Sequence, residues 1–354
     1  MTNKNRLSQF LLAAGIGILA VFLFPTPSGA EPYQVTHIYQ ASGTGGIDYV
    51  YADNEARRLY IPWGNKILVL DLDTFKPTGT IGNSGGHGVA VDPKSHHGFS
   101  SSKPLTMFDS LTLETIKAIP VAGRPDGIFY EPATGRIFVL SREAPNVTVI
   151  DPNDGSVTGA FDLGGAPAQA ASDNQGRVYI TLEDQSQIAV VDAKTLKCVA
   201  HFSLDGKGGS PAGLGLDAQN HILFAMCRNP ATCVILNADD GKILATLPIG
   251  IGTDGGGFNP KTMEAFSSQL DGTLTVIKET SPTNFVVAQT LPTKPLAKTC
   301  ALDTKNNRVI LITLEPAPVS SGADVGQAAS TGGRHEPHRK FGGPGLLDIL
   351  VVGN

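Results

Sequence analysis

Five ionisable side chains recur along the chain at multiples of about 40 residues. They are Asp48, His87, Asp126, Asp254 and Lys298, and Ala168 and Ala212 occupy the intervening positions of the same series. Three carboxylates and an imidazole are a reasonable ligand set for a divalent metal ion. With Arg124 and Gln169 nearby, the same set could instead hold a small polar ligand. A third reading needs no ligand, because Asp is common in turns that lead into strands.

The elements that must position these residues are copies of one repeated unit. Each of the seven positions lies five residues before an acidic residue or Asn that ends a short apolar run, here called an anchor: Asp53, Asp92, Glu131, Asp173, Asp217, Asn259 and Asp303. Three more short runs follow most anchors, separated by turn residues, which predicts strands. A period near 40 residues predicts stacked units. We therefore predict an all-β fold, a seven-bladed β-propeller of four-stranded antiparallel blades. In it the seven positions form a funnel ring at one mouth of the central channel.

The two ends of the chain predict how the propeller closes. After Asp303 the last repeat has a second run at 308–314 and a third at 346–352, but no fourth. The segment YQVTHIYQASG, from Tyr33, resembles a fourth strand and precedes the first repeat. We expect this N-terminal strand to complete the last blade, which would remove the exposed edges of an open ring.

Two segments carry a family resemblance. Residues 179–195, YITLEDQSQIAVVDAKT, resemble the YVTN repeat, and VTVID at 147–151 matches its second half. Over about residues 33–354 the chain therefore resembles the YncE-like, YVTN-repeat seven-bladed β-propellers that bacteria export. Leu182 and Leu140 stand where the motif has Asn. The resemblance implies the fold but hardly an activity, because one fold hosts many functions. It also implies single-stranded DNA as one candidate partner, since a YncE-like protein has been linked with such binding.

The first 30 residues are typical of a secretory signal peptide. Lys4 and Arg6 precede an apolar run at 10–24, and Ser28 and Ala30 are the small residues that signal peptidase requires. We predict cleavage near Ala30, a periplasmic or secreted protein, and a single propeller domain over residues 31–354. An uncleaved N-terminal anchor is the alternative. No later run approaches the roughly 20 apolar residues of a membrane span.

The charge balance disfavours nucleic acid as a partner. The chain has 27 Lys and Arg against 32 Asp and Glu, a net charge of −5, and without the leader 25 basic residues remain, which gives −7. A groove for single strands needs basic side chains and stacking aromatic rings. One Trp and seven Tyr supply few such rings. We expect a monomer that binds a small ligand or a protein partner.

Two features lie outside the ring. Cys227 and Cys233 flank a five-residue turn in the fifth repeat, where a cross-strand disulfide is plausible in an oxidising compartment, and two buried thiols are the alternative. Residues from about 315 to 345 are rich in Pro, Ser, Gly and Ala, which predicts a flexible insertion. Its basic segment 334–340, RHEPHRK, could contact an acidic partner or a metal, or simply be solvated.

The motifs contain no coherent catalytic set. The segment GNSGG at 82–86, beside His87, fits a nucleophile pattern whose chemistry needs a strand-to-helix turn, whereas here it joins two predicted strands. We therefore favour an exported, non-catalytic propeller that binds a small ligand, metal ion or protein partner through the funnel face. A lactonase-like or metal-dependent hydrolase that uses the funnel carboxylates is the alternative, and single-stranded DNA binding is a second.

Overall fold

A computed structural model describes residues 31–82, 84–316 and 344–354 of the protein. Its contacts divide the chain into Met1–Glu31 and Pro32–Asn354, and the second unit contains every strand. The predicted signal peptide at 1–30, and residues 317–343 of the predicted insertion, lie outside the described residues. In the described ranges the structure has no helix with the length and apolar character of a membrane span.

The described residues form 28 strands in seven antiparallel sheets of four. Blade 1 contains β2 (Tyr51–Asp53), β3 (Arg58–Trp63), β4 (Lys66–Asp71) and β5 (Pro77–Gly82), and blade 2 contains β6 (Val89–Val91), β7 (His97–Ser100), β8 (Leu105–Asp109) and β9 (Thr115–Ile119). Blade 3 contains β10 (Pro125–Glu131), β11 (Arg136–Ser141), β12 (Val147–Ile150) and β13 (Val157–Phe161), and blade 4 contains β14 (Pro167–Ser172), β15 (Arg177–Leu182), β16 (Gln187–Asp192) and β17 (Lys197–Ser203).

The remaining blades follow the same order until the last. Blade 5 contains β18 (Pro211–Asp217), β19 (Ile222–Cys227), β20 (Thr232–Asn237) and β21 (Ile243–Pro248), and blade 6 contains β22 (Thr253–Asn259), β23 (Glu264–Gln269), β24 (Thr273–Ser281) and β25 (Asn284–Pro292). Blade 7 contains β26 (Cys300–Asp303), β27 (Arg308–Pro316), β28 (Pro344–Gly353) and, as its fourth strand, β1 (Gln34–Thr44). The predicted seven-bladed β-propeller is confirmed.

The N-terminal strand closes the propeller as predicted. In the antiparallel pair of β1 and β28, Val35 lies opposite Val352 and Ile38 lies opposite Leu350. Just before β1, the ring of Tyr33 packs edge-on against Phe266 of blade 6, with centroids 5.4 Å apart. The start of β1 is therefore held by two blades.

The hydrophobic core consists of layers between blades. The described residues contain seven buried apolar clusters, and each lies between two neighbouring blades. The middle strands are buried on both faces, which explains why they read as continuous apolar runs rather than as alternating ones.

The anchors end the inner strands because their side chains complete the following turn. Asp53 Oδ1 accepts the backbone N–H groups of Glu55 and Ala56 at 3.1 and 2.9 Å. The other six anchors accept a backbone N–H in the same way. Asp and Asn favour such turns because a short side chain reaches the backbone two residues on.

The predicted disulfide between Cys227 and Cys233 is wrong, because both thiols are free. In the register of β19 and β20, Cys227 lies opposite Thr232 and Cys233 lies opposite Met226. This offset of one residue sends the two side chains to opposite faces of the sheet. Cys227 packs between blades 4 and 5, and Cys233 packs between blades 5 and 6.

Candidate functional site

The inner strands bring the predicted ring positions together. The first strands of the seven sheets contact one another in sequence around the channel, including the last and the first. Asp126 and Asp254 are the second residues of β10 and β22. Asp48, His87 and Lys298 lie in the loops that lead into β2, β6 and β26. All five ionisable positions therefore lie at one mouth of the channel.

On one side of this mouth, His87 bridges two carboxylates. Its Nδ1 lies 2.7 Å from Asp48 Oδ2 and 3.6 Å from Asp126 Oδ1. Arg142 continues the series, 3.8 Å from Asp126 and 2.7 Å from Glu183.

On the other side the ion pairs return to the first blade. Arg228 lies 2.8 Å from Glu183 and also contacts Asp254. Lys298 contacts Asp254 and lies 3.3 Å from Asp48. Eight side chains, alternately acidic and basic, thus form a closed loop that we call the charge circuit: Asp48, His87, Asp126, Arg142, Glu183, Arg228, Asp254 and Lys298.

The charge circuit crosses every boundary between blades once. Asp126 and Arg142 both belong to blade 3, and each of the other six residues belongs to a different blade. One ion pair therefore spans each of the seven boundaries that an apolar cluster also fills. The simplest role of the circuit is to tie neighbouring blades together at this mouth.

Three members of the circuit escaped the sequence analysis. Arg142, Glu183 and Arg228 directly follow the second strands of blades 3, 4 and 5. The signal was available, because these residues occupy equivalent positions after the second apolar run of three successive repeats. Glu183 and Arg228 belong to the two blades whose own ring positions are alanine.

Arg124 and Gln169 take other roles than the predicted one. Arg124 is exposed and, within the described ranges, its side chain makes no ion pair. Gln169 Nε2 donates to the carbonyl of Gly256 at 2.8 Å, and its Oε1 accepts the N–H groups of Leu214 and Gly256 at 3.0 and 3.1 Å. Gln169 thus joins blade 4 to blades 5 and 6, and its amide is occupied by backbone.

Tyr49 forms a second crossing of the channel. Its hydroxyl donates to the carbonyl of Ala168 at 3.4 Å, which links blade 1 with blade 4. Burial, together with the charges of Asp126 and the other circuit carboxylates, raises the pKa of Tyr49 well above its ordinary value. The phenol therefore stays neutral. Tyr49 and Gln169 form a floor beneath the charge circuit.

The electrostatics of the mouth favour a cation beside His87. Burial raises the pKa of Asp48, but hydrogen bonding to His87 and the charge of Lys298 outweigh it, so the net shift is downward. The hydrogen bond to Asp48 raises the pKa of His87, and burial raises the pKa of Asp126. Four carboxylates face three permanent cations in the circuit, and the proton on His87 supplies the fourth positive charge.

Three of the four predicted metal ligands form one group. One ligand atom each from Asp48, His87 and Asp126 lie within 4.8 Å of one another. The fourth candidate, Asp254, is outside this group and is engaged by Arg228 and Lys298. The His87 side chain is 48% exposed, so the group can be reached from solvent.

Two curated proteins match about half of the chain. Both are described as "Uncharacterized protein YncE", one from Salmonella typhi and one from Salmonella typhimurium (strain LT2), each 24% identical over 196 residues. The match covers 51% of this chain and 54% of each relative. The chain is a distant homologue of YncE. It therefore spans about half the length of the YncE relatives it matches. No protein-family model matches the chain.

Solved structures agree with the fold. The WD40 repeats of RRP9 and the structure of U3-55K each superpose with a TM-score of 0.67 at 10% sequence identity. They cover 89% and 88% of this chain, and 97% and 98% of those chains. At this identity the likeness shows a shared propeller fold alone.

Proposed function

We propose that the protein is an exported, non-catalytic binding propeller whose funnel face takes a divalent transition-metal ion on Asp48, His87 and Asp126. The observation that carries the proposal is the grouping of these three ligand atoms within 4.8 Å at a mouth open to solvent. One imidazole and two carboxylates suit first-row metals such as Zn²⁺, Ni²⁺ and Co²⁺.

The position of His87 explains how a metal would enter. A protonated imidazole places one positive charge between Asp48 and Asp126, which a metal ion replaces when His87 loses its proton. Metal binding therefore competes with protons at this site. The charge between the two carboxylates remains positive throughout, so the rest of the circuit needs no rearrangement.

The neighbouring cations would orient the ligands. Lys298 lies 3.3 Å from Asp48, and Arg142 lies 3.8 Å from Asp126, each on an oxygen other than the one nearest His87. Such partners hold ligand side chains in place and tune metal affinity. Three protein ligands leave coordination positions for water or a small anion. A ligand would approach from the outer side, because Tyr49 and Gln169 cross the channel below.

Calorimetric titration of chelator-treated protein with Zn²⁺, Ni²⁺ and Co²⁺ tests the proposal. We expect one equivalent of metal to bind the wild type and to raise its melting temperature, and His87→Gln and Asp126→Asn to remove both effects. His221→Gln is the matched control, because His221 lies 3.0 Å from a single carboxylate, that of Asp239. A variant with His335 and His338 both changed to Gln excludes binding at the basic segment.

Two results would replace this proposal. Absence of binding, or equal loss in the His221 and His335/His338 controls, contradicts the metal site. Lactone turnover by the metal-loaded protein that His87→Gln abolishes would support the hydrolase alternative instead. Salt-sensitive binding of a single-stranded oligonucleotide would support the DNA alternative.

A further inference from the structure

Glu279 places a carboxyl group where other blades have small or apolar side chains. Its N–H donates to the carbonyl of Met263, in the turn after an anchor, at 3.0 Å. The same backbone bond is made in four other blades by Leu72, Ser110, Ala193 and Ala238. All five side chains are buried. Glu279 is thus the one carboxyl among these five equivalent positions.

This carboxyl lies against a second buried carboxyl at the boundary between blades 5 and 6. Glu279 is 3% exposed, and Asp217, the anchor of blade 5, is 1% exposed. The Asn220 amide donates to Glu279 Oε1 at 2.7 Å and to Asp217 Oδ2 at 2.8 Å. One amide group therefore joins both carboxyl groups.

The second oxygen of Glu279 needs a hydrogen. Its Oε2 is buried and has no hydrogen-bond partner among the described residues. Two ionised carboxylates in this position would repel each other without a cation between them. A protonated Glu279 removes the repulsion, because its O–H can donate to Asp217.

The surroundings of Glu279 supply no compensating charge. Burial, and then the charge of Asp217, raise the pKa of Glu279 to about 7, although the Asn220 bond lowers it. Across the sheet Glu279 lies opposite Phe285 of β25. Lys278 is adjacent in β24 and so points to the other face, where it lies 3.8 Å from Glu264.

We propose that Glu279 and Asp217 share one proton, and that its release to solvent loosens the boundary between blades 5 and 6. The device lies at the ends of the inner strands, at the mouth opposite the charge circuit, and does not depend on the metal site. Because folding raises the affinity of Glu279 for its proton, the stabilisation is complete at acid pH. It is lost as the pH rises through about 7.

Carbon NMR of the glutamate carboxyls measures the proton directly. We expect the Glu279 signal, assigned by its absence in Glu279→Gln, to titrate near pH 7 rather than near the ordinary 4.5. A midpoint in the ordinary range would overturn the proposal.

Unfolding at several pH values measures the consequence. Between pH 5 and 8.5 we expect the unfolding equilibrium constant of the wild type to rise on the order of 50-fold more than that of Glu279→Gln. Asp217→Asn should flatten the profile similarly, which keeps the test valid if one variant folds poorly. The control Glu114→Gln, at an exposed position, should keep the wild-type profile. Parallel profiles for wild type and both boundary variants would also refute shared protonation.

Discussion

Lys298 Nζ lies 3.3 Å from Asp48 Oδ1 and so joins the last blade to the first at the funnel mouth. Together with the contact of Lys298 to Asp254, this pair closes the charge circuit. The apolar layers stabilise each boundary without direction, whereas an ion pair specifies which side chains meet. The mouth therefore combines both kinds of contact at every boundary.

Opening the circuit at Lys298 should destabilise the fold. Lys298→Met leaves Asp48 and Asp254 without their shared cation in a partly buried place, and we expect a loss of about 2 kcal/mol in the free energy of unfolding, measured in urea. Lys305→Met is the control, because Lys305 and its partner Asp73 are 61% and 40% exposed. That change should cost less than about 0.5 kcal/mol. Equal losses would show that the circuit adds no stability.

Asp303 should make stability depend on acid pH. It is fully buried, 2.8 Å from Arg57 of blade 1 and 2.6 Å from Arg308. Burial raises its pKa, but these two cations outweigh the effect, so the pKa lies well below its ordinary value. The pair stabilises the fold above the ordinary Asp range and is lost as the pH falls toward the folded-state pKa.

The matching experiment compares wild type with Asp303→Asn at pH 7 and pH 2.5. At pH 7 the variant should be about 3 kcal/mol less stable, because two cations lose their buried partner. The difference should shrink at pH 2.5, where the unfolded wild type binds a proton. Asp205→Asn, at an exposed position, should show no such change. A difference independent of pH would contradict the ionic explanation.

Removing the Gln169 side chain should weaken the channel floor. Gln169→Ala leaves the N–H groups of Leu214 and Gly256 without their acceptor, and we expect a loss of about 2 kcal/mol in urea unfolding. Gln185→Ala, whose amide bonds only an exposed carboxylate at Asp184, should change little. A small effect at Gln169 would mean that water replaces the amide.

The cysteines should remain reduced and protected in the folded protein. Burial raises the pKa of Cys227 to about 12, so little reactive thiolate exists at neutral pH. A thiol reagent should label Cys227 and Cys233 only after unfolding, faster labelling being expected at the half-buried Cys198. Finding two thiols rather than four in the unfolded, unreduced protein would restore the disulfide.

The fold was predictable because its signals are local. An anchor such as Asp53 completes a turn within its own repeat, and short apolar runs follow at a constant period. The site was only partly predictable, since the circuit needs Arg142 and Arg228, which reach the mouth from the second strands. The disulfide failed for a related reason: the distance between Cys227 and Cys233 in sequence does not reveal the strand register, and one residue of offset reverses the face.

The pairing of β1 with β28 also governs when the protein can finish folding. Ile38 is synthesised early and Leu350 almost last, so β1 has no partner until the C-terminal residues emerge. Contacts between such distant segments form slowly. We expect closure to be a late event after synthesis, and chains that end before residue 344 to expose an open edge at which strands can be exchanged between molecules.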